Sequence, residues 1–308
     1  MSSQTIPPPG SASPGSTPSP IAGFEAHRAA LMRSRRRATL LYAGLFLAAL
    51  AGSVYISNFF PDRLAAGAPK LGDYIYDLLP VLSAEHLFAG TKTEGSLAYW
   101  YFNLPKYLKL LLETVNMALF ATILGTVGGL VMCFAASRNL APNNWVYQGS
   151  RRLMEFCRGV PEVIFAILFV WAVGVGPLAG LLAIAIHSAG ALGKLFSEVN
   201  ENIDHKPLEG IRAAGGSWFD EIRYGVVPQV LPNFTSYTLL RFEINIRASS
   251  IIGFVGAGGV GQELYYVINF NFYEEVSALV LLVVAVVTCI DLLSARIRHR
   301  FIGREQMA

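Results

Sequence analysis

Residues 206–232 read K-P-L-E-G-I-R-A-A-G-G-S-W-F-D-E-I-R-Y-G-V-V-P-Q-V-L-P, a polar, helix-forming segment between long apolar runs. Its polar residues prevent it from crossing a bilayer by itself. Pro207 can open a helix, because its missing N–H would be unpaired in a first turn anyway. We therefore predict a short helix over Leu208–Ala214.

Two glycines, at positions 215–216, end this predicted helix. Ser217 and Asp220 then form a capping-box pattern, which restarts a helix at Trp218. The pattern predicts a helix, a glycine hinge and a second short helix, with Trp218 and Phe219 presented at the corner.

The composition is that of a membrane protein. The chain has 308 residues, of which 53% are hydrophobic and 15% are charged, and its mean hydropathy is +0.46. A soluble domain carries about 25% charged residues. The net charge of +3 is too small to indicate nucleic acid as a partner.

The sequence contains no pattern typical of a metal or catalytic site. Cys133, Cys157 and Cys289 are far apart and lie in or beside apolar runs, so we expect neither a disulfide framework nor a metal site. No Ser–His–Asp order and no carboxylate pair stands out, so we expect no catalytic residues.

Six apolar runs are predicted to cross the membrane, because about 20 apolar residues span the roughly 30 Å hydrocarbon core. They are residues 38–61, 110–137, two runs within 163–193, 226–252 and 276–293. Gly174–Pro177 separates the third run from the fourth. The predicted fold class is an all-α membrane protein with about six transmembrane helices.

The segments outside these runs have distinct compositions. Residues 1–37 begin with a Pro- and Ser-rich stretch and end in basic residues, so we predict a disordered, basic cytoplasmic tail. Residues 62–109 form an outer loop, with an interfacial helix over Leu71–Leu82 and an aromatic belt at residues 99–102. Residues 110–295 form the membrane core, which includes the segment 206–225, and residues 296–308 form a second basic tail.

The basic residues orient the chain. With the N-terminus inside, cytoplasmic segments hold 17 of the 24 Lys and Arg residues. The positive-inside rule favours this orientation, with both termini and residues 206–232 in the cytoplasm. A cleaved signal peptide is the alternative for residues 38–61, but its leader and its apolar part would both be too long.

Charged residues in the fifth run are candidates for a transport pathway. Glu243 and Arg247 are four residues apart, the favourable spacing for an ion pair. An Arg at the centre of a span costs about 2.5–3.5 kcal/mol, so it usually faces a bundle interior or a water-filled path. We expect Arg241 and Arg247, with Asn245 and His187, to attract an anion. The alternatives are that Glu243 and Arg247 neutralise each other and that His187 has a structural role.

Two glycine patterns resemble nucleotide-binding motifs but lack their context. The pattern G-x-G-x-x-G is matched by Gly256, Gly258 and Gly261, and Gly259 lies between the last two. A dinucleotide site would need a soluble βαβ unit, whereas both flanks here are membrane runs. We instead expect these glycines to let the backbone fold tightly at the outer mouth.

The second pattern is Gly193-Lys194. A phosphate-binding loop would also need Gly at position 188 and Ser or Thr at position 195, and the chain has Ser188 and Leu195. If ATP drives this protein, another subunit hydrolyses it.

The segment 206–232 resembles the cytoplasmic "EAA" loop of ABC-importer permeases, which reads E-A-A, three residues, G, nine residues, I-x-L-P. Glu209, Gly215 and Pro228 match this pattern with the correct spacing. The positions that depart from it are Gly210, Ile211, Gly225 and Val227. An amphipathic connector with a chance spacing is the alternative.

Over about residues 100–300 the chain resembles phosphonate ABC-transporter permeases, through residues 165–181, 208–216, 222–242 and 253–264. The resemblance implies a type I importer fold in the bacterial inner membrane. It also implies a second copy of the chain, two ATPase subunits that hold ATP and magnesium, and a periplasmic or lipid-anchored binding protein. The ATPase would dock on Glu209–Trp218, and the substrate would be phosphonate, phosphate or phosphite. The implied coupling residues are Glu209, Gly210, Ile211, Ala213, Gly215, Gly216, Trp218 and Pro228.

Three other functions remain open. One is a stand-alone secondary anion transporter or channel, which would need no ATPase. Another is an ABC-importer permease for a different small solute. A membrane enzyme such as a phosphatase is the third, and it would need a nucleophile or metal cluster.

Overall fold

The computed structural model describes residues 20–59 and 61–305. The chain divides into two compact units, Met1–Asp73 and Tyr74–Ala308. All regular elements over the described residues are helices. The predicted disorder of residues 1–19 lies outside the described residues.

The first unit consists of helix α1 (Pro20–Ile56) and most of α2 (Pro61–Leu78). At about 1.5 Å per residue, the 37 residues of α1 are roughly 55 Å long. Residues 20–37, which we predicted to be disordered, are helical, because they lack a helix breaker after Gly23 and are rich in Ala and Arg. Helix α2 begins ten residues before the predicted interfacial helix and ends four residues before its predicted end.

The second unit begins with α3 (Leu97–Trp100) and α4 (Leu104–Ala135), followed by α5 (Asn144–Gly159), α6 (Glu162–Val173) and α7 (Pro177–Glu201). The predicted break at residues 174–177 is confirmed, and Gly174 and Gly176 adopt positive φ angles of 90° and 148° there. Helix α6 has only 12 residues, about 18 Å, which is too short to cross a membrane alone. It follows α5 at an 85° bend, and the third predicted run reaches a membrane-spanning length only together with α5.

The remaining helices are α8 (Lys206–Ala213), α9 (Trp218–Asp220), α10 (Val227–Ile252), α11 (Gly259–Asn269) and α12 (Tyr273–Glu305). Helix α12 starts before and ends well after the predicted run 276–293. By length and composition, four of the described helices can cross a membrane, and the number is six if each of two bent pairs is counted as one span. This agrees with the prediction of about six spans.

Small residues bring α4 and α7 into close contact. A Cβ atom on Gly125 would lie 2.6 Å from the Cβ atom of Ser188, and one on Gly129 would lie 2.9 Å from the backbone nitrogen of Gly193. Close approach between small residues is a common way for membrane helices to associate. Contacts progress in the same direction along both helices, so α4 and α7 run parallel.

Candidate functional site

Helix α8 is attached to the bundle through one buried side chain. Leu208 is 2% exposed and packs in an apolar cluster with residues of α7 and α10, including Phe196 and Phe234. The rings of these two phenylalanines stack with centroids 4.1 Å apart. The neighbouring Glu209 and Gly210 are exposed. One side of α8 therefore anchors the helix, and the other is open.

The predicted glycine hinge is confirmed. Gly215 has a φ of +80°, and the N–H of Gly216 donates to the carbonyl of Ile211 at 2.9 Å, as in a left-handed helix end. A Cβ atom on Gly216 would lie 2.5 Å from Cγ2 of Ile211. The backbone N–H and the hydroxyl of Ser217 both donate to Oδ2 of Asp220, at 2.8 and 2.6 Å, so the predicted capping box is also present.

The second half of the segment differs from the prediction. Instead of a separate short helix, α9 continues through a π-helical turn, Glu221–Val226, directly into α10. Local π-helical turns occur often at functional sites. The corner is therefore continuous with α10, with no intervening loop.

Two contacts fix the orientation of the corner. Arg212 donates from Nε and Nη2 to the two carboxylate oxygens of Glu221, both at 2.8 Å, and this pair raises the pKa of Arg212 above its ordinary value. Trp218 donates from its indole nitrogen to the carbonyl of Leu140 at 3.1 Å. Phe219 is 76% exposed beside it. The corner therefore exposes the ring of Phe219, and the two contacts hold the backbone beside it in place.

Of the other predicted coupling residues, Ala213 is exposed on α8 and Ile211 is half-buried. Pro228 is exposed near the start of α10. The exposed residues among those predicted to couple to an ATPase thus lie on α8, on the hinge and at the beginning of α10.

A polar network lies inside the helix bundle around Arg241. Its Nε donates to Oγ of Ser188 at 3.0 Å, and its Nη2 donates to Nδ1 of His187. His187 Nε2 is 3.1 Å from the carbonyl oxygen of Arg158. Because Nδ1 accepts from Arg241, Nε2 is the nitrogen that donates. His187 is therefore a neutral imidazole in this arrangement.

The network continues across the bundle through Asn245. Ser188 donates to Oδ1 of Asn245 at 3.1 Å, and Nδ2 of Asn245 donates to Oγ1 of Thr122 at 2.9 Å. Ser188, Asn245 and Thr122 are all buried. On the other side, Glu162 lies 3.7 Å from Nδ1 of His187. The structure thus brings together three predicted pathway residues, Arg241, Asn245 and His187.

The fourth predicted pathway residue, Arg247, lies elsewhere. It is six residues from Arg241, about 120° around the helix, and its side chain is 56% exposed. The predicted Glu243–Arg247 ion pair is wrong. Arg247 Nη2 is 3.5 Å from Oδ2 of Asp291, and Glu243 Oε1 is 3.7 Å from Nη1 of Arg298. Both partners are on α12, which packs against α10.

The glycine-rich segment connects the ends of several helices. Gly256 accepts a bond from the N–H of Gly176 at 3.0 Å, and the hydroxyl of Thr114 accepts one from the N–H of Val260 at 2.8 Å. A Cβ atom on Gly258 would lie 2.9 Å from the ring of Pro177. The predicted tight packing is therefore present. The two remaining glycines, Gly259 and Gly261, are in the first turn of α11. The sequence did not predict this helix.

The sequence analysis missed the roles of Thr122 and Glu162. Thr122 is one hydroxyl in an apolar run, and nothing in the sequence distinguishes it. Glu162 is the first residue of α6 and directly follows Pro161. The turn at residues 174–176 joins α6 to α7, and the packing of these two helices brings Glu162 to 3.7 Å from Nδ1 of His187. Among the described residues no cluster could hold a metal ion, and the three cysteines are free.

Known proteins resemble this chain in fold and in sequence. The membrane subunit in an inward-facing structure of the MetNI methionine ABC transporter superimposes with a TM-score of 0.56, at 21% identity, over 63% of this chain and 95% of that one. The fold is therefore that of a type I ABC-importer permease. In sequence, residues 125–303 match the family described as binding-protein-dependent transport system inner membrane component. The chain belongs to this family.

Two curated relatives come from Stutzerimonas stutzeri. The phosphite transport system permease protein PtxC is 41% identical over 195 residues, which cover 63% of this chain and 71% of the relative. The putative phosphite transport system permease protein HtxC is 32% identical over 266 residues, 86% of this chain and 88% of the relative. The chain is thus a transport subunit of the inner membrane rather than an enzyme.

Proposed function

We propose that this permease imports a phosphorus oxyanion, namely phosphonate, phosphite or phosphate. The similarity to phosphite permeases supports this substrate class. The observation that carries the proposal is Arg241, a cation inside the bundle on which Nε and Nη2 are held by protein groups. A guanidinium has five N–H donors, and Nη1 has no hydrogen-bond partner among the described residues. It can therefore bind an anionic oxygen.

The transporter that we propose contains two copies of this chain and two ATPase subunits. The exposed face of α8, the hinge and the ring of Phe219 form a docking surface for an ATPase, which binds the ATP and magnesium. The bond from Trp218 to Leu140 and the Arg212–Glu221 pair keep this surface in place. Because α9 runs directly into α10, closure of the ATPases rotates the helix that carries Arg241.

A substrate-binding protein, periplasmic or lipid-anchored, delivers the anion at the opposite end of the bundle. Both termini and the docking surface are in the cytoplasm, in agreement with the distribution of basic residues. His187, Ser188 and Asn245 position Arg241 beside the path, whereas Arg247 is outside it.

The experiment is ATP hydrolysis by the reconstituted complex with its binding protein, loaded in turn with phosphonate, phosphite, phosphate or sulfate. Stimulation by a phosphorus oxyanion, with none by sulfate, supports the proposal. Uptake without an ATPase would instead favour a secondary transporter. Stimulation only by another solute would support the assignment as an ABC importer and contradict a phosphorus oxyanion as its substrate.

A further inference from the structure

A groove lies at the end of the bundle where α4 and α12 begin. It consists of two adjoining cavities of about 610 and 450 Å³. Tyr99, Trp100 and Glu274 line both of them. The predicted aromatic belt at residues 99–102 therefore contributes to a concave surface.

The groove is acidic. Asp77, Glu94, Glu274 and Glu275 line it, and the lining contains no Lys or Arg among the described residues. None of these four carboxylates forms an ion pair with a described basic residue. Glu275 is held by neutral groups instead, since its Oε2 accepts hydrogen bonds from Tyr107 and from Nδ2 of Asn103. These negative charges are not neutralised within the groove.

Aromatic side chains also line the groove, and hydrogen bonds hold its walls together. Phe102, Phe272 and Tyr273 line it together with Tyr99 and Trp100. The indole nitrogen of Trp100 donates to the carbonyl of Glu274 at 2.9 Å and lies 3.3 Å from Oγ of Ser277. These bonds join α3 to the start of α12. The walls are therefore positioned before any partner binds.

Carboxylates beside aromatic faces suit a cation. Arg and Lys side chains are attracted to aromatic faces and form charge-assisted hydrogen bonds with carboxylates. The cavities open to solvent, whereas small-molecule sites usually enclose most of their ligand. This arrangement favours a side chain that projects from a protein surface over a free organic cation.

The position of the groove identifies the partner. Helix α4 starts beside it and is about 48 Å long, and just beyond its other end Leu140 contacts Trp218 of the proposed ATPase surface. The groove and that surface are thus at opposite ends of the bundle. We propose that the groove receives an Arg or Lys side chain of the substrate-binding protein when that protein docks on the outer face. This inference rests on the proposed function.

The test measures how tightly the binding protein binds the full complex in lipid nanodiscs. The binding protein used is the one that stimulates ATP hydrolysis by the intact complex. The variant combines Asp77→Asn with Glu274→Gln, which removes two charges and leaves the Glu275 bonds intact. Glu85→Gln removes an exposed charge of the same outer segment outside the groove and is the matched control. Size-exclusion chromatography verifies that each complex is assembled.

We expect the double variant to bind about tenfold or more weakly and to lose most of the salt dependence of binding. The control should keep the affinity and the salt dependence of the intact chain. Equal affinity and equal salt dependence of the double variant would overturn the groove inference alone. If no binding protein stimulates or binds the intact complex, the proposed partner and this inference are both overturned.

Discussion

Arg241 donates from Nε to the hydroxyl of Ser188 at 3.0 Å, and this bond connects α10 to α7 in the interior of the bundle. Ser188 donates in turn to Asn245, one turn further along α10. Arg241 and Asn245, both on α10, therefore form hydrogen bonds with the same hydroxyl. The guanidinium is fixed in direction by groups that carry no net charge. The carboxylate of Glu162 also interacts with its positive charge, and Nη1 is the nitrogen that remains to bind an anion.

The variant Arg241→Gln should abolish substrate-stimulated transport while the complex still assembles. Loss of a charged hydrogen bond to an anion costs about 1.5–3 kcal/mol, or roughly 10- to 150-fold in affinity. Arg247→Gln is the matched control, because Arg247 is on the same helix but is exposed and faces Asp291. Uptake by proteoliposomes measures the difference. Equal uptake by both variants would contradict a role for Arg241 in binding the transported anion.

Ser188→Ala should lower both stability and transport. The substitution leaves Oδ1 of Asn245 and Nε of Arg241 without their common partner, and a buried unpaired polar group costs about 1–3 kcal/mol. Thermal unfolding of the purified complex measures the first effect. Ser188→Thr, which keeps the hydroxyl, should restore more transport than Ser188→Ala. If the alanine variant equals the intact chain in both assays, the network has no positioning role.

Gly210→Ala and Gly216→Ala should have opposite effects, although they are six residues apart in one segment. A Cβ atom on Gly210 meets no atom within 4 Å, and alanine in a helix is favoured by about 0.5–1 kcal/mol over glycine. On Gly216 it would lie 2.5 Å from Ile211 and distort the hinge. We expect the first variant to retain ATPase coupling and the second to lose most of it. Binding of the ATPase subunit, measured by co-purification, distinguishes them.

Gly125→Val should separate α4 from α7. The added Cβ would meet Ser188 at 2.6 Å, and overpacking of this kind costs about 1–3 kcal/mol. Gly149→Val is the control for the residue type, since a Cβ there has no neighbour within 4 Å. A lower unfolding temperature for the first variant only is the expected result. Equal unfolding temperatures would contradict the close contact between these helices.

The sequence predicts the hinge well because its signals are local. Positive φ at Gly215 and the capping box of Ser217 depend on residues within a few positions of each other. The apolar runs likewise locate most of the membrane helices by length and hydropathy, whereas the third run gives α6, which is too short to cross a membrane alone. Helices α5 and α11 are missed, because the first is polar on one side and the second begins in glycines.

The partners of the charged residues in α10 could not be predicted from the sequence. The spacing of Glu243 and Arg247 favours a pair within α10, but packing places Arg298 and Asp291 of α12 beside them. Thr122 and Glu162 join the network around Arg241 through contacts between residues far apart in the chain. Such contacts depend on which helix faces meet, and periodicity along one helix does not determine this.

The central claim is that this permease carries a phosphorus oxyanion past Arg241. The most direct measurement is ATP-dependent uptake of phosphonate, phosphite and phosphate, each with sulfate as the comparison, by proteoliposomes that contain the complete transporter. We predict uptake of at least one phosphorus oxyanion by the intact chain and by Arg247→Gln, and its loss in Arg241→Gln. Uptake that is absent for all three anions, or that is unchanged in Arg241→Gln, would contradict the account.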